Sequence, residues 1–249
     1  SAHKNEYGFK DIIGDYILQE RLGGGEYSST FKGINQISQD IVAIKVFPKS
    51  LPMSKNLYEA EINAFKALKG LPGILQIKDD GENNEVRFIV TEFIEDGSLR
   101  NILNKHIEGM NIEDVIQLFT PIADAIDRIH GKNIIHRDLK PENILSRKQA
   151  GYEIFIADFG VVKFTTTSQQ FQTENTSGTS LYMAPEALFG NPDIIQSRAV
   201  DIYALGIMLY EALEGKFPYE DINKVVYQQP ALFPTRTRQK AGEFVAGFL

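Results

Sequence analysis

The chain has 249 residues, of which 43% are hydrophobic and 24% are charged, a composition typical of a folded globular protein. Its net charge of -7, without any run of four basic residues, argues against nucleic acid as a partner. It contains no cysteine, which excludes disulfides and thiolate metal sites and agrees with a cytoplasmic setting. The most apolar stretch, residues 203–213, is too short for a membrane span, so we expect no membrane contact within this segment.

The first third of the chain has mainly the alternating pattern of β-strands. Runs on either side of the glycine-rich sequence LGGGEYSS predict a hairpin, and DIVAIKVF at 40–47 predicts a third strand. A helical period follows from Asn56 to Lys69, and residues 73–93 predict two more strands around the turn DDGENN. This part of the sequence therefore predicts five strands and one helix.

Two charged residues fall at positions where the pattern predicts burial. Lys45 lies in a strand with apolar residues on both faces, and Glu61 lies on the apolar stripe of the following helix. Each charge would be costly if it were buried alone, whereas the two compensate each other as an ion pair. The alternative is that Lys45 extends into solvent and that the helix exposes Glu61.

The rest of the chain is mainly helical. Asn111 predicts the N-cap of a helix in which Pro121 is expected to cause a kink, and a buried helix is predicted from about Ala199 to Leu213. Between these helices, HRDLKPEN at 136–143 places a cluster of polar residues between core-type residues, which is typical of a catalytic loop. Asp158 follows an apolar strand and precedes a turn glycine; a capped turn alone would explain it.

Nine motifs, in order from about Asp15 to Tyr219, resemble those of eukaryotic-type protein kinases of the serine/threonine class. They are LGGGEYS, VAIK, EI, TEF, HRDLKPEN, DFG, GTSLYMAPE, DIYALG and LEGKFPY. The resemblance implies an α+β, two-lobed kinase fold with a small β-rich N-lobe that has one main helix (about 12–93), a hinge (about 92–97) and a larger, mostly helical C-lobe (about 98–249). Family members continue through several more helices, so we expect the C-terminal helices to be truncated here and further domains to follow Leu249.

The resemblance also assigns catalytic roles. It implies that Lys45 contacts the α- and β-phosphates of ATP and is positioned by Glu61. It implies that Asp138 orients the substrate hydroxyl and that Lys140 steadies the γ-phosphate. It implies that Asp158 ligates Mg²⁺, or alternatively Mn²⁺, and that Asn143 holds a second ion, because hard oxygen ligands suit a hard cation. The implied catalytic and metal-binding residues are Lys45, Glu61, Asp138, Lys140, Asn143 and Asp158, the last two being the metal ligands.

The remaining ATP contacts are implied by position in the same family. Thr91 is implied to lie at the back of the adenine pocket. Threonine is also common in β-strands, which would explain its position without that role. Ser28 replaces the usual third glycine of the loop, which is expected to affect ATP affinity without removing a catalytic group. The implied contacts are Leu22, Gly23, Gly25, Ala43, Lys45, Thr91, Glu92, Ile94, Leu145 and Asp158.

The resemblance implies regulation by phosphorylation of the segment between Asp158 and Glu186. Arg137 is the expected partner of that phosphate, and Thr173 and Thr176 are the candidate sites, unless these hydroxyls serve only loop solubility. Thr179 is expected to help hold the catalytic loop. The predicted function is ATP- and Mg²⁺-dependent transfer of phosphate to serine and threonine hydroxyls of protein substrates in signalling. The alternative is a pseudokinase that acts as a nucleotide-binding switch or scaffold.

Overall fold

A computed structural model describes residues 11–160, 163–164, 179–184, 187 and 197–219. The chain divides into two compact units. The first unit contains the described residues up to 70 together with 75–95 and 158–160. The second contains 71–74, 96–157 and the described residues from 163 onward.

The first unit is built on a six-stranded antiparallel sheet with the strand order β1-β2-β3-β4-β6-β5. The strands are β1 (Ile12–Ile13), β2 (Tyr16–Gly24), β3 (Ser29–Asn35), β4 (Ile41–Pro48), β5 (Ile77–Glu82) and β6 (Val86–Glu92). The five predicted strands are confirmed, and β1 is an addition too short to produce a sequence pattern. The turn before β6 is narrower than predicted, because Asn83 Oδ1 accepts hydrogen bonds from the backbone N–H groups of Glu85 and Val86 and closes it there.

One face of this sheet carries the core of the first unit. In β4, Val42, Ile44 and Val46 are buried within a cluster of residues from five strands, whereas the alternate positions are largely less buried. Helix α1 (Pro52–Ala67) follows, and it begins four residues earlier than the periodicity predicted. Its first turn contains Pro52, which is tolerated there because the first N–H groups of a helix have no intrahelical partner.

The second unit is mainly helical. Its described helices of five residues or more are α2 (Leu99–Leu103), α3 (Ile112–Gly131) and α4 (Ala199–Glu214). The predicted N-cap is confirmed, because Asn111 Oδ1 accepts a hydrogen bond of 2.8 Å from the N–H of Asp114, and α3 continues through Pro121 as one helix. Gly215 ends α4 with a φ of 69°, a conformation that favours glycine.

Short strands and turns hold the loop between α3 and α4. β7 (Ile134–Ile135) pairs with β10 (Lys163–Phe164), and β8 (Ile144–Lys148) pairs with β9 (Tyr152–Ile156). Two short 3-10 turns lie at Pro141–Asn143 and Thr179–Tyr182. A strand therefore anchors each end of residues 136–143. The mixture of helices and mainly antiparallel strands confirms the predicted α+β class. Within the described ranges, no helix has the length and apolar character needed to cross a membrane.

Candidate active site

Lys45, Glu61 and Asp158 form one ionic cluster within the first unit. Lys45 Nζ lies 2.7 Å from Glu61 Oε2 and 2.6 Å from Asp158 Oδ1. Glu61 is 2% exposed on the inner side of α1, and Lys45 points towards it from β4. The predicted ion pair is therefore present, and the alternative of an exposed Glu61 is wrong.

The cluster holds two carboxylates and one ammonium group, and their pKa values reflect this imbalance. Burial acts to lower the pKa of Lys45, but the carboxylates of Asp158 and Glu61 outweigh it and raise this pKa above its ordinary value. Burial raises the pKa of Glu61 to about 7, because Lys45 compensates it only in part and Asp158 adds a second negative charge. The ammonium group is thus held charged.

The backbone around Asp158 brings its carboxylate to Lys45. Asp158 has a φ of 63°, which is unusual for a residue with a side chain, and the turn directs the carboxylate back towards β4. Phe159 is fully buried and packs edge-on against Phe65 of α1, with ring centroids 5.5 Å apart. This packing explains why residues 158–160 belong to the first unit although they follow β9 in sequence.

The glycine-rich stretch is the predicted hairpin between β2 and β3. Gly23 pairs with Thr30 and Gly24 with Ser29, and the N–H of Gly25 donates to the carbonyl of Ser28 over 2.9 Å. Gly24 has a φ of 149°, and a Cβ there would lie 2.5 Å from the Ser28 carbonyl oxygen. Glycine is therefore required at Gly24 by the turn itself, whereas Gly23 and Gly25 have open space where a side chain would be.

The other implied ATP contacts of the first unit lie on neighbouring strands. Ala43 of β4 is directly opposite Thr91 of β6, and Thr91 is buried with its hydroxyl donating to the carbonyl of Glu92 over 3.4 Å. Ile94 is buried, whereas Leu22 is 45% exposed on β2. Leu145 belongs to the second unit, where it lies half-buried in β8.

The catalytic loop candidates lie together in the second unit. Lys140 Nζ donates to Asp138 Oδ2 over 2.9 Å. The amide of Asn143 donates to the Asp138 carbonyl at 2.8 Å and to its carboxylate at 3.3 Å. Lys140 and Asn143 thus hold Asp138 within the loop, and its carboxylate is oriented by one ammonium group and one amide.

Asp201 and His130 are functional residues that the sequence analysis missed. The buried carboxylate of Asp201 in α4 accepts from the backbone N–H groups of His136 and Arg137 at 2.9 and 2.8 Å. His130 Nε2 of α3 lies 2.8 Å from the same carboxylate. Asp201 belongs to the motif DIYALG, and the signal available in the sequence was an acidic residue at the start of an apolar helix. Only the folded chain shows that Asp201 contacts a loop 64 residues earlier in the sequence.

Arg137 is held in an uncommon conformation. Its φ is 69°, and its buried Nε and Nη1 have no hydrogen-bond partner among the described residues. Burial lowers the pKa of this guanidinium, and Asp201 opposes the effect in part. Thr173 and Thr176 lie outside the described residues, and only the backbone of Thr179, in the second 3-10 turn, is described.

A divalent cation would find oxygen ligands in this chain. Across the part of the chain that the structure describes, no group of three acidic or histidine side chains could hold a metal ion by itself. Mg²⁺ commonly takes one or two protein oxygens and completes its shell with substrate phosphates and water. The carboxylate of Asp158 in the first unit and the amide oxygen of Asn143 in the second each fit that requirement by their chemistry, and each is taken as a ligand of its own ion.

Comparisons with known proteins agree with this arrangement. The family model described as "Protein kinase domain" matches residues 16–241. The chain is 32% identical over 209 residues to the probable serine/threonine-protein kinase PknB of Lactococcus lactis, covering 82% of this chain and 32% of that protein. It is 32% identical to the serine/threonine-protein kinase ULK3 of Xenopus laevis (90% and 48% covered) and 30% identical to the serine/threonine-protein kinase TIO of Arabidopsis thaliana (95% and 18%). The chain thus spans less than half the length of each of these relatives.

Proposed function

Because the chain belongs to the protein kinase family, we propose that it is the catalytic domain of a serine/threonine kinase that transfers the γ-phosphate of ATP to protein hydroxyl groups. The Lys45–Glu61–Asp158 cluster carries this proposal, because a buried lysine held charged between two carboxylates is suited to binding phosphate oxygens. A pseudokinase would be favoured by losses among five residues, and all of them are present: Lys45, Glu61, Asp138, Asn143 and Asp158.

Each residue acts through the atom that the structure orients. Lys45 Nζ binds phosphate oxygens of ATP while Glu61 keeps the ammonium group in place. In the second unit, Asp138 orients the acceptor hydroxyl and takes up its proton, and Lys140 neutralises charge that develops on the transferred group. In the first unit Asp158 would hold a divalent ion, and in the second unit Asn143 would hold a second one; such an ion supplies neutralisation of the phosphate charge when it is bound. We propose Mg²⁺ as this ion, with Mn²⁺ as the alternative.

The activity is tested with labelled ATP, Mg²⁺ and paired peptides that differ only in a serine, threonine or tyrosine acceptor. We expect incorporation into the serine and threonine peptides, and a loss of at least about a hundredfold in Asp138→Asn, because general-base catalysis is worth two to four orders of magnitude. Asp127→Asn, which changes an exposed aspartate of α3, is the matched control and should retain full activity. Equal incorporation by wild type and Asp138→Asn, or none by either, contradicts the proposal.

We also propose that phosphate on Thr173 or Thr176 pairs with Arg137. The support is that Nε and Nη1 of Arg137 are buried and have no hydrogen-bond partner in the part of the chain that the structure describes, and a phosphate would supply charge-assisted hydrogen bonds to them. Mass spectrometry of active protein should find phosphate on at least one of the two threonines, and phosphatase treatment should lower the activity of wild type but not that of Arg137→Ala. Active protein with both threonines unmodified contradicts this mode of regulation.

A further inference from the structure

Arg100 contacts three side chains of the second unit, and the four residues come from four separate elements. Arg100 lies in α2, and its Nε donates to Glu142 Oε1 over 2.8 Å. Its Nη1 donates to Glu211 Oε1 of α4 over 2.5 Å, and its Nη2 donates to the hydroxyl of Tyr182. One guanidinium therefore contacts three partners that are 42, 82 and 111 residues away in the sequence.

The cluster is partly desolvated, which makes its geometry specific. The side chain of Glu211 is 9% exposed and that of Arg100 is 22% exposed, whereas that of Glu142 is 48% exposed. The Tyr182 hydroxyl donates to Glu211 Oε2 over 2.6 Å, and the Tyr182 ring lies edge-on to Phe217 at 5.3 Å. A carboxylate buried to this extent must keep its hydrogen-bond donors, so Glu211 fixes both Arg100 and Tyr182.

Two of the partners belong to segments on which phosphoryl transfer depends. Glu142 lies in the turn Pro141–Asn143, between the residues Lys140 and Asn143 that contact Asp138. Tyr182 ends the turn Thr179–Tyr182, which follows the segment that contains Thr173 and Thr176. Arg100 thus joins the turn beside the catalytic aspartate to the end of the proposed regulatory segment.

We propose that Arg100 is a positioning residue for phosphoryl transfer, which acts by holding the Glu142 turn and the Tyr182 turn in one fixed arrangement on α2 and α4. This inference rests on the proposed kinase activity. Its loss would let the two turns move independently, and a displacement of about 1 Å in a catalytic group lowers rates by up to about a hundredfold. The arrangement requires a planar donor fork, because three partners are bound from three nitrogen atoms, and lysine cannot reproduce it.

Arg147 offers a matched control for a merely structural role. It lies in the same unit, pairs with Glu153 over 3.0 Å and covers the ring of Phe155 at 5.1 Å. Arg100 likewise pairs with carboxylates and lies 5.9 Å from the ring of Tyr182. Methionine at either position removes ion pairing and a cation–π contact while keeping an apolar stem. Arg100 loses two carboxylate partners and Arg147 one, and only Arg100 contacts the turn beside Asp138.

The test measures kcat with saturating ATP and serine peptide, and the thermal midpoint, for wild type, Arg100→Met, Arg100→Lys and Arg147→Met. We expect kcat of Arg100→Met to fall at least about tenfold, Arg100→Lys to recover part of the loss, and Arg147→Met to stay within about twofold. Glu142→Gln changes a half-exposed side chain and leaves the buried part of the cluster in place, so it serves where Arg100→Met does not fold. We expect Glu142→Gln to lower kcat severalfold with an unchanged thermal midpoint. In combination with Arg100→Met, it should cause no further loss of kcat.

The results separate the two proposals. An active wild type whose kcat survives both Arg100→Met and Glu142→Gln overturns the positioning role and leaves the kinase activity standing. A kcat loss in Arg147→Met as large as that in Arg100→Met also overturns it, because the effect would then follow general destabilisation. An inactive wild type with all peptides overturns the kinase proposal, and this inference falls with it.

Discussion

At the scale of a single residue, Glu61 makes the stability of the folded chain depend on pH. It shares one cation with Asp158 in a buried environment, and its pKa is raised to about 7. Between pH 4.5 and 7 the folded state therefore binds a proton at Glu61 that the unfolded state has released. The stability from this group is present in full below about pH 4.5 and is lost as the pH rises through about 7.

We predict that Glu61→Gln removes this pH dependence. The free energy of unfolding of the wild type should fall with rising pH between about 5 and 8, relative to the variant, by on the order of 2–3 kcal/mol. Urea unfolding at several pH values measures the difference. Glu59→Gln alters an exposed residue of the same helix, paired with Lys55 at 3.6 Å, and should follow the wild type. A Glu61→Gln profile parallel to that of the wild type contradicts the raised pKa.

Two residues of the candidate site, Lys45 and Glu61, could be predicted from the sequence for a definite physical reason. Lys45 and Glu61 were conspicuous because a charge inside an apolar pattern is costly and needs a partner. Asp201 gave no such signal, since an aspartate near a helix N-terminus is common and its backbone partners cannot be known before the chain is folded. The network at Arg100 was missed for the same reason, because each of its members is unremarkable in its own segment.

Among the secondary-structure elements, α3 shows how a local signal sets a boundary. Asn111 accepts from the N–H of Asp114, and the helix then runs for 20 residues with an apolar face that reaches Ile126 and Ile129. The limits of α1 and β5 were less predictable. The first turn of α1 has few apolar residues, and β5 carries Asp79 and Asp80, so neither shows the pattern of a buried element. Backbone pairing with β6 determines β5 instead.

We predict that Asn111→Ala destabilises the second unit by about 1 kcal/mol, because the first turn of α3 loses a side-chain acceptor for a backbone N–H. Asn111→Ser is the matched variant, since serine also caps helices well, and it should remain close to wild type. Denaturant midpoints of the two variants provide the comparison. Equal midpoints for alanine and serine would show that the cap contributes nothing measurable.

At the scale of the whole molecule, the two units contribute different parts of the proposed chemistry. The first holds the lysine and the Asp158 carboxylate, and the second holds Asp138, Lys140 and Asn143. The order of the elements along the chain predicted most of this division, but not the place of residues 158–160, which Phe159 anchors beside α1. Residues 71–74 join the second unit because the Gly73 carbonyl accepts from the N–H of Ile156.

We predict that ATP with Mg²⁺ stabilises the chain as a ligand of the folded state. At a nucleotide concentration a hundredfold above Kd, the thermal midpoint should rise by at least about 5 °C. In wild type, EDTA should abolish the metal-dependent part of this shift. Asp158→Asn should lose most of that part, whereas Asp127→Asn should keep it. Differential scanning calorimetry with and without EDTA measures both. A shift that is independent of the metal in wild type contradicts the assignment of Asp158 as a metal ligand.

The left-handed backbone at Arg137 and Asp158 bears on how this protein would respond to directed evolution. A residue with a Cβ costs roughly 1–2 kcal/mol at such φ angles of 69° and 63°, a cost that glycine avoids. A library selected for heat resistance alone should therefore enrich glycine at both positions and yield robust but inactive proteins. Selection for phosphate transfer should retain the arginine and the aspartate. Thermal stability and activity therefore favour different residues at these two positions.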